Sequence, residues 1–205
     1  MDKTKYDRIL NFAEKEKFSH LVSWAIWNDK DINDVSMFEK RKIESTLPQL
    51  NENIVIMGLN ASDSGNDRRE PWAGFHNRHR GGRDSWLREL AKVDTRIKGA
   101  YMTDVFKHVE SRSVCVKKKI NNDERLRSEQ FNKLKKELEL LGDNLTIILV
   151  GRDAERYFKR FAKEKEIVEK TYHLIPIPHY AGRTTKKLFL ENASNKIKEM
   201  LTSQD

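Results

Sequence analysis

After residue 50 the chain is punctuated by four short apolar runs, at residues 54–59, 100–106, 145–150 and 172–177. Each is nearly continuous in apolar residues, as strands buried on both faces are. The stretches between them follow helical spacing. Asp84 stands as an N-cap before Trp86, Leu87, Leu90 and Ala91; Leu126, Phe131, Leu134, Leu138 and Leu141 form one stripe that stops at Gly142. Asp153 opens a third helix, with Tyr157, Phe158 and Phe161 inward, and residues 188–201 close the chain as a fourth. Strands alternating with helices predict an α/β fold: a three-layer sandwich with a mostly parallel four-stranded sheet flanked by helices.

The first fifty residues read differently. Tyr6, Ile9, Leu10 and Ala13 fall at helical spacing, Leu21, Val22, Ala25 and Ile26 give a second short stripe, and a third segment over 36–46 ends before Pro48. With no repeat and no linker rich in Pro, Gly or Ser, residues 1–205 are expected to form one α/β domain with a helical N-terminal extension at about 1–50.

Composition narrows the class. Charged residues make up 35% of the chain, yet nine Phe, four Trp and five Tyr can anchor a core. No apolar run approaches the roughly 20 residues that cross a bilayer, and residues 1–5 are not followed by the apolar stretch of a signal peptide. One cysteine, Cys115, excludes an intrachain disulfide and fits a reducing, cytoplasmic setting. Forty Lys and Arg against 32 acidic residues leave a formal charge of +8, which favours a polyanionic partner, nucleic acid first.

In sheets of this kind the site lies at the carboxyl ends of the strands. Four segments therefore matter: 60–83, 104–116, 151–153 and 178–185. The first carries Arg68, Arg69, Arg78, Arg80 and Arg83 without one Lys, four of the nine glycines, and Trp72 and Phe75 between them. Forked guanidinium groups on phosphate and aromatic faces on bases suit a nucleic-acid surface; the alternative is a solvated loop with its aromatics tucked inward. His76 and His79 have a metal-like spacing, but Arg78 and Arg80 beside them oppose a cation and no paired ligand set accompanies them, so no metal is expected. A G-x-S-x-G elbow and a G-x-x-x-x-G-K phosphate loop are both missing from the sequence. What remains is Asn60 at one strand end, Thr103 and Asp104 inside a second strand, and His179 after the stiff Pro176-Ile177-Pro178 approach.

These residues resemble the motifs of the uracil-DNA glycosylase superfamily. Val55-Ile56-Met57-Gly58-Leu59-Asn60-Ala61-Ser62 is similar to the first motif, G-x-N-P-G in several branches. Ile175-Pro176-Ile177-Pro178-His179-Tyr180-Ala181-Gly182 is similar to the second, which begins His-Pro-Ser. Between them, Ala100-Tyr101-Met102-Thr103-Asp104-Val105-Phe106-Lys107 resembles the strand whose Asn reads the base, and Leu149-Val150-Gly151-Arg152-Asp153-Ala154 the strand and helix start before the second motif. The order and spacing match over roughly three quarters of the chain. Three departures stand out: Ala61-Ser62 for Pro-Gly, Tyr180-Ala181 for Pro-Ser, and Asp104 for the base-reading Asn.

The resemblance implies a hydrolase of DNA repair that extrudes a base and cleaves its N-glycosidic bond by water attack, without metal or cofactor. DNA, duplex or single-stranded, is the partner implied; no membrane and no obligate protein partner is. His179 would hydrogen-bond the departing base, Asn60 would orient the water and Asp63 would assist as a carboxylate. Phe75 or Trp72 would stack on the base, Arg78, Arg80, Arg83 and Arg183 would grip the backbone, and residues 180–185 would form the wedge. Asp104 leaves three alternatives: it is protonated by burial, Thr103 faces the pocket in its place, or the substrate is not uracil. The other functional class is a catalytically inactive nucleic-acid-binding protein of the same fold.

Overall fold

A computed structural model describes residues 1–61, 70–76, 84–109, 112–167 and 172–202. Its sheet has five strands: β1 (Ser23–Trp24), β2 (Asn51–Ala61), β3 (Ala100–Lys107), β4 (Leu145–Val150) and β5 (Tyr172–Ile177), in the order β1-β3-β2-β4-β5. The last four are parallel, and β1 runs antiparallel on the β3 edge through Ser23–Met102 and Trp24–Tyr101. The helices are α1 (Lys3–Lys15), the single turn α2 (Ile43–Thr46), α3 (Ser85–Val93), α4 (Ser113–Asn122), α5 (Glu124–Leu141), α6 (Arg152–Glu164) and α7 (Lys186–Thr202).

Two apolar clusters fill the space on either side of the sheet. Val55, Met57, Tyr101 and Ile147 point to one face, where Phe131, Leu134 and Leu138 of α5 and Tyr157, Phe158 and Phe161 of α6 cover them. Ile54, Ile56, Met102 and Ile148 point to the other, under Leu87 and Leu90 of α3 and Phe189, Ala193 and Ile197 of α7. Alternate residues thus face alternate layers, the period-two rule of a strand, and the three-layer α/β expectation holds with one strand more. α5 begins where Asp123 accepts the Leu126 backbone N–H at 2.9 Å and stops at Gly142, whose φ of 115° a side chain would strain.

In the N-terminal region the first expected helix is α1, with Tyr6, Ile9 and Ala13 buried, and the other two are corrected. Residues 21–26 are not a helix: Ser23 and Trp24 pair with β3. Residues 36–46 hold only a tight turn at Ser36–Phe38 and the one-turn α2. A continuous run of four to six apolar residues fits strand and helix alike, and the β3 edge decided between them. The region is also not peripheral, because Tyr6, Ile9, Phe18, Leu21 and Trp24 belong to the same buried cluster as β2, β3 and α5.

β2 lies between β3 and β4, and the helices that follow β2 and β4 pack on opposite faces. That is the switch point of the sheet, where a crevice opens at the strand ends. Among the described residues no helix is long and apolar enough to cross a membrane.

Candidate active site

Three strand ends and the start of α3 meet at this crevice. Asn60 is the penultimate residue of β2, half-buried, with its Oδ1 accepting the Ser113 hydroxyl of α4 at 3.1 Å. Asp104 sits one strand over, opposite Gly58. Its carboxylate lies so close over Gly58 that a Cβ there would overlap Oδ1. Glycine at the third residue before the strand end thus makes room for an acid on the neighbouring strand.

Strand phase settles which β3 residue faces this side. Thr103 points to the opposite layer, where its hydroxyl donates to Glu137 Oε1 at 2.7 Å, and the Tyr101 hydroxyl donates to the same oxygen at 2.9 Å. Glu137 Oε2 pairs with Lys107 Nζ at 2.6 Å; each side chain is 1% exposed. Lys107 Nζ also donates to the Asp104 carbonyl at 2.7 Å. Thr103 is therefore part of a buried network behind the sheet and does not face a base. Asp104 is 7% exposed. Desolvation pushes its carboxyl up to about 7, with Asp84 and Glu137 adding to the rise and Lys107 opposing it.

His179 follows β5, and Gly151 follows β4. The Gly151 backbone, at φ 90° and ψ 156°, occupies a region that only glycine enters readily, and a Cβ there would stand 2.9 Å from His179 Cβ and 3.0 Å from Cδ2. The imidazole accepts the Ala181 N–H at Nδ1, 2.9 Å away, and its face stacks on Tyr180 at 4.7 Å between centroids. Much of the residue is open to solvent, yet packing against the ring lowers its proton affinity, partly offset by Asp84 and Asp153. Nδ1 as acceptor and a depressed proton affinity together leave a neutral ring with its proton on Nε2.

Asp84 was expected to cap α3. It does not: its φ and ψ are helical and its carboxylate makes no capping bond. The carboxylate accepts the Tyr180 hydroxyl instead, at 3.0 Å, and burial raises its proton affinity. An acid before a helix reads as a cap in any sequence, so no local signal could have found this role. Tyr180, held this way and half-buried, is not an exposed wedge.

The other expected residues divide. Trp72 is 1% exposed and packs among Tyr6, Trp24, Phe38 and Tyr101, with centroids 5.5 to 6.4 Å away, so it anchors the core and offers no stacking face. Phe75 is half-buried against the second cluster, and Trp27 Nε1 donates to its carbonyl at 3.2 Å. His76 is turned inward between Trp27 and Phe38. Arg183 is exposed and lines a cleft of about 450 Å³ with Gly151, Arg152, His179 and Thr184. Arg152, also exposed, adds a second guanidinium that the motif reading had not singled out. Asp63, Arg78, Arg80 and Arg83 lie outside the described residues.

Fold and site define a three-layer α/β protein with Asn60 near the end of β2 and, at the same end of the parallel sheet, Asp104, Asp84 and the neutral His179 imidazole linked electrostatically through Asp84. The model of the uracil DNA glycosylase superfamily matches residues 45–202, and the chain belongs to that superfamily. No curated protein and no solved structure gives a significant match.

Proposed function

We propose that the protein hydrolyses the N-glycosidic bond of a nucleobase extruded from DNA. The observation that carries this reading is the Ala181 N–H donated to His179 Nδ1, which leaves the imidazole its proton on Nε2, in the turn that follows β5. Breaking the C1′–N bond sends the electron pair into the base and leaves cationic character on the sugar. Donation from Nε2–H to the base oxygen stabilises the developing anion and needs no proton transfer, an electrostatic effect usually worth several kcal/mol. Asn60, whose Oδ1 accepts the Ser113 hydroxyl near the end of β2, is the amide proposed to orient a water toward C1′. Asp63, by its place three residues after Asn60, is the carboxylate proposed to take the water's proton.

Asp104 would read the base edge. As a neutral acid it offers one donor and one acceptor, the pair that an amide offers to the carbonyl and N–H of uracil; ionised, it only accepts. Because burial brings its titration to about 7, uracil-like edges are read below that pH, and edges bearing an exocyclic amine are favoured above it. Phe75 is the remaining aromatic candidate for stacking. Arg183, with Arg78, Arg80 and Arg83, is proposed to hold the phosphates. We read the whole chain as one glycosylase-like unit with residues 1–50 built into its core.

The test is a panel of single- and double-stranded oligonucleotides carrying uracil, hypoxanthine, xanthine or mismatches, assayed for abasic sites. Excision of at least one base, lost in His179→Ala, is expected. Salt-sensitive binding with no excision from any substrate would favour the second reading, a binder of the same fold. Asp104, in place of an amide, is the observation on that side.

A further inference from the structure

Tyr180 and Asp84 have no part in the chemistry above, yet they meet in the middle of the site. Tyr180 belongs to the turn after β5 and Asp84 directly precedes α3, 96 residues earlier in the chain; the hydroxyl-to-carboxylate bond of 3.0 Å joins these two elements. The Tyr180 ring has two faces to account for. One stacks on the His179 imidazole, with 29° between the planes, and the ring also meets Phe189 of α7 edge-on at 6.2 Å. The imidazole is confined on three sides: Gly151 behind it, the Ala181 N–H on Nδ1 and Tyr180 against its face. Two of these three restraints belong to the turn itself, and that turn is tied down at Tyr180.

Asp84 has no local reason for its position. It caps nothing, and burying a carboxylate is costly unless a donor meets it. Its donor is the Tyr180 hydroxyl. We propose that Tyr180 and Asp84 are a positioning pair for His179, the hydroxyl–carboxylate bond pinning the turn after β5 to the start of α3 so that the imidazole keeps one tautomer and one place against Gly151. The kinetic consequence rests on the glycosylase reading, but the tautomer consequence does not.

Three single substitutions in the full chain separate the possibilities. Tyr180→Phe keeps the stacked ring and removes the bond. Asp84→Ala removes the same bond from the other end. Asp84→Asn keeps an acceptor for the hydroxyl and removes only the charge. Imidazole nitrogen chemical shifts report the His179 tautomer in each, and single-turnover rates on the best panel substrate report the chemistry. The expected result is one dominant Nε2–H tautomer in the wild type and in Asp84→Asn, and a mixture in Tyr180→Phe and Asp84→Ala. In those two variants the rate falls roughly tenfold or more while DNA affinity stays within about twofold, since a displaced group costs rate more than binding. Asp84→Asn keeps the tautomer but titrates His179 at lower pH, because the charge that favours its protonated form is gone. Unchanged tautomer populations in both Tyr180→Phe and Asp84→Ala overturn the proposal, even if one of the two is less stable. A wild type that excises nothing defeats the glycosylase reading and leaves the tautomer comparison intact.

Discussion

Replacing Asp104 with asparagine removes a carboxyl whose proton the folded chain holds far more tightly than the unfolded one. Its ordinary value is 3.8 and burial lifts it to about 7. The stability due to that bound proton is complete below about pH 4 and is lost as pH rises through about 7, because over this window the native state binds more protons than the unfolded state. A gap of about three units corresponds to about 4 kcal/mol, of which about 2–3 kcal/mol falls between about pH 5 and about pH 8. At 7% exposure, solvent screening takes little from that figure. Asparagine has nearly the same shape and no proton to lose. Urea unfolding of wild type and Asp104→Asn at the two pH values isolates the effect, since every other titrating group is common to both chains. The stability of the variant relative to wild type should rise by about 2–3 kcal/mol from the lower pH to the higher. A constant offset at both would refute the reasoning: it would mean that Asp104 is ionised, or neutral, throughout the range. Uracil excision supplies an independent reading. It should decline in the wild type above about pH 7 and stay level in Asp104→Asn as the neutral acid is lost only from the former.

The remaining predictions concern the groups around that carboxyl. Gly151→Ala places a methyl group about half an ångström too near the His179 ring and forces alanine into a glycine-only conformation; we expect a stability loss of about 1–3 kcal/mol and a fall in rate without loss of DNA affinity, checked by melting and single-turnover kinetics. Glu137→Gln leaves the Lys107 ammonium buried without its counter-charge and should cost about 3–5 kcal/mol in denaturant titrations; a loss under about 1 kcal/mol would contradict the buried pair. His179→Ala should slow excision by a factor on the order of 100 while DNA affinity is kept, because the donor acts on charge present only in the transition state. Arg183→Ala should flatten the dependence of log affinity on log salt by about one unit, and an unchanged slope would place Arg183 away from phosphate.

Four of the five strands, the long α5 and the family motifs could be read from the chain alone. Strands buried on both faces must be nearly continuous in apolar residues, and a helix with one wet face must repeat near every third or fourth position; both constraints are local and leave a local record. That Asn60 and His179 lie at strand ends was legible for a related reason, as each follows directly or closely on an apolar run, and topology sends strand ends to one crevice. β1 was not legible, because two residues cannot carry a period and their partner β3 lies far along the chain, Met102 opposite Ser23 and Tyr101 opposite Trp24.

Tertiary structure decided the rest. Trp72 and Phe75 stand three residues apart in one loop with φ near 60° at both, and nothing in their spacing says that Trp72 enters the core while Phe75 stays half-exposed. Thr103 and Asp104 sit in a strand covered on both sides, so its pattern has no phase to tell which residue faces the site; Glu137, brought by α5, claims Thr103 and leaves Asp104 to the other layer. Asp84 looked like a cap until Tyr180 arrived from the far end of the chain. Periodicity records only whether a residue's own segment is buried. Which group it meets there, and whether it carries a charge, depends on electrostatic and hydrogen-bonding partners that only the folded chain brings within a few ångströms.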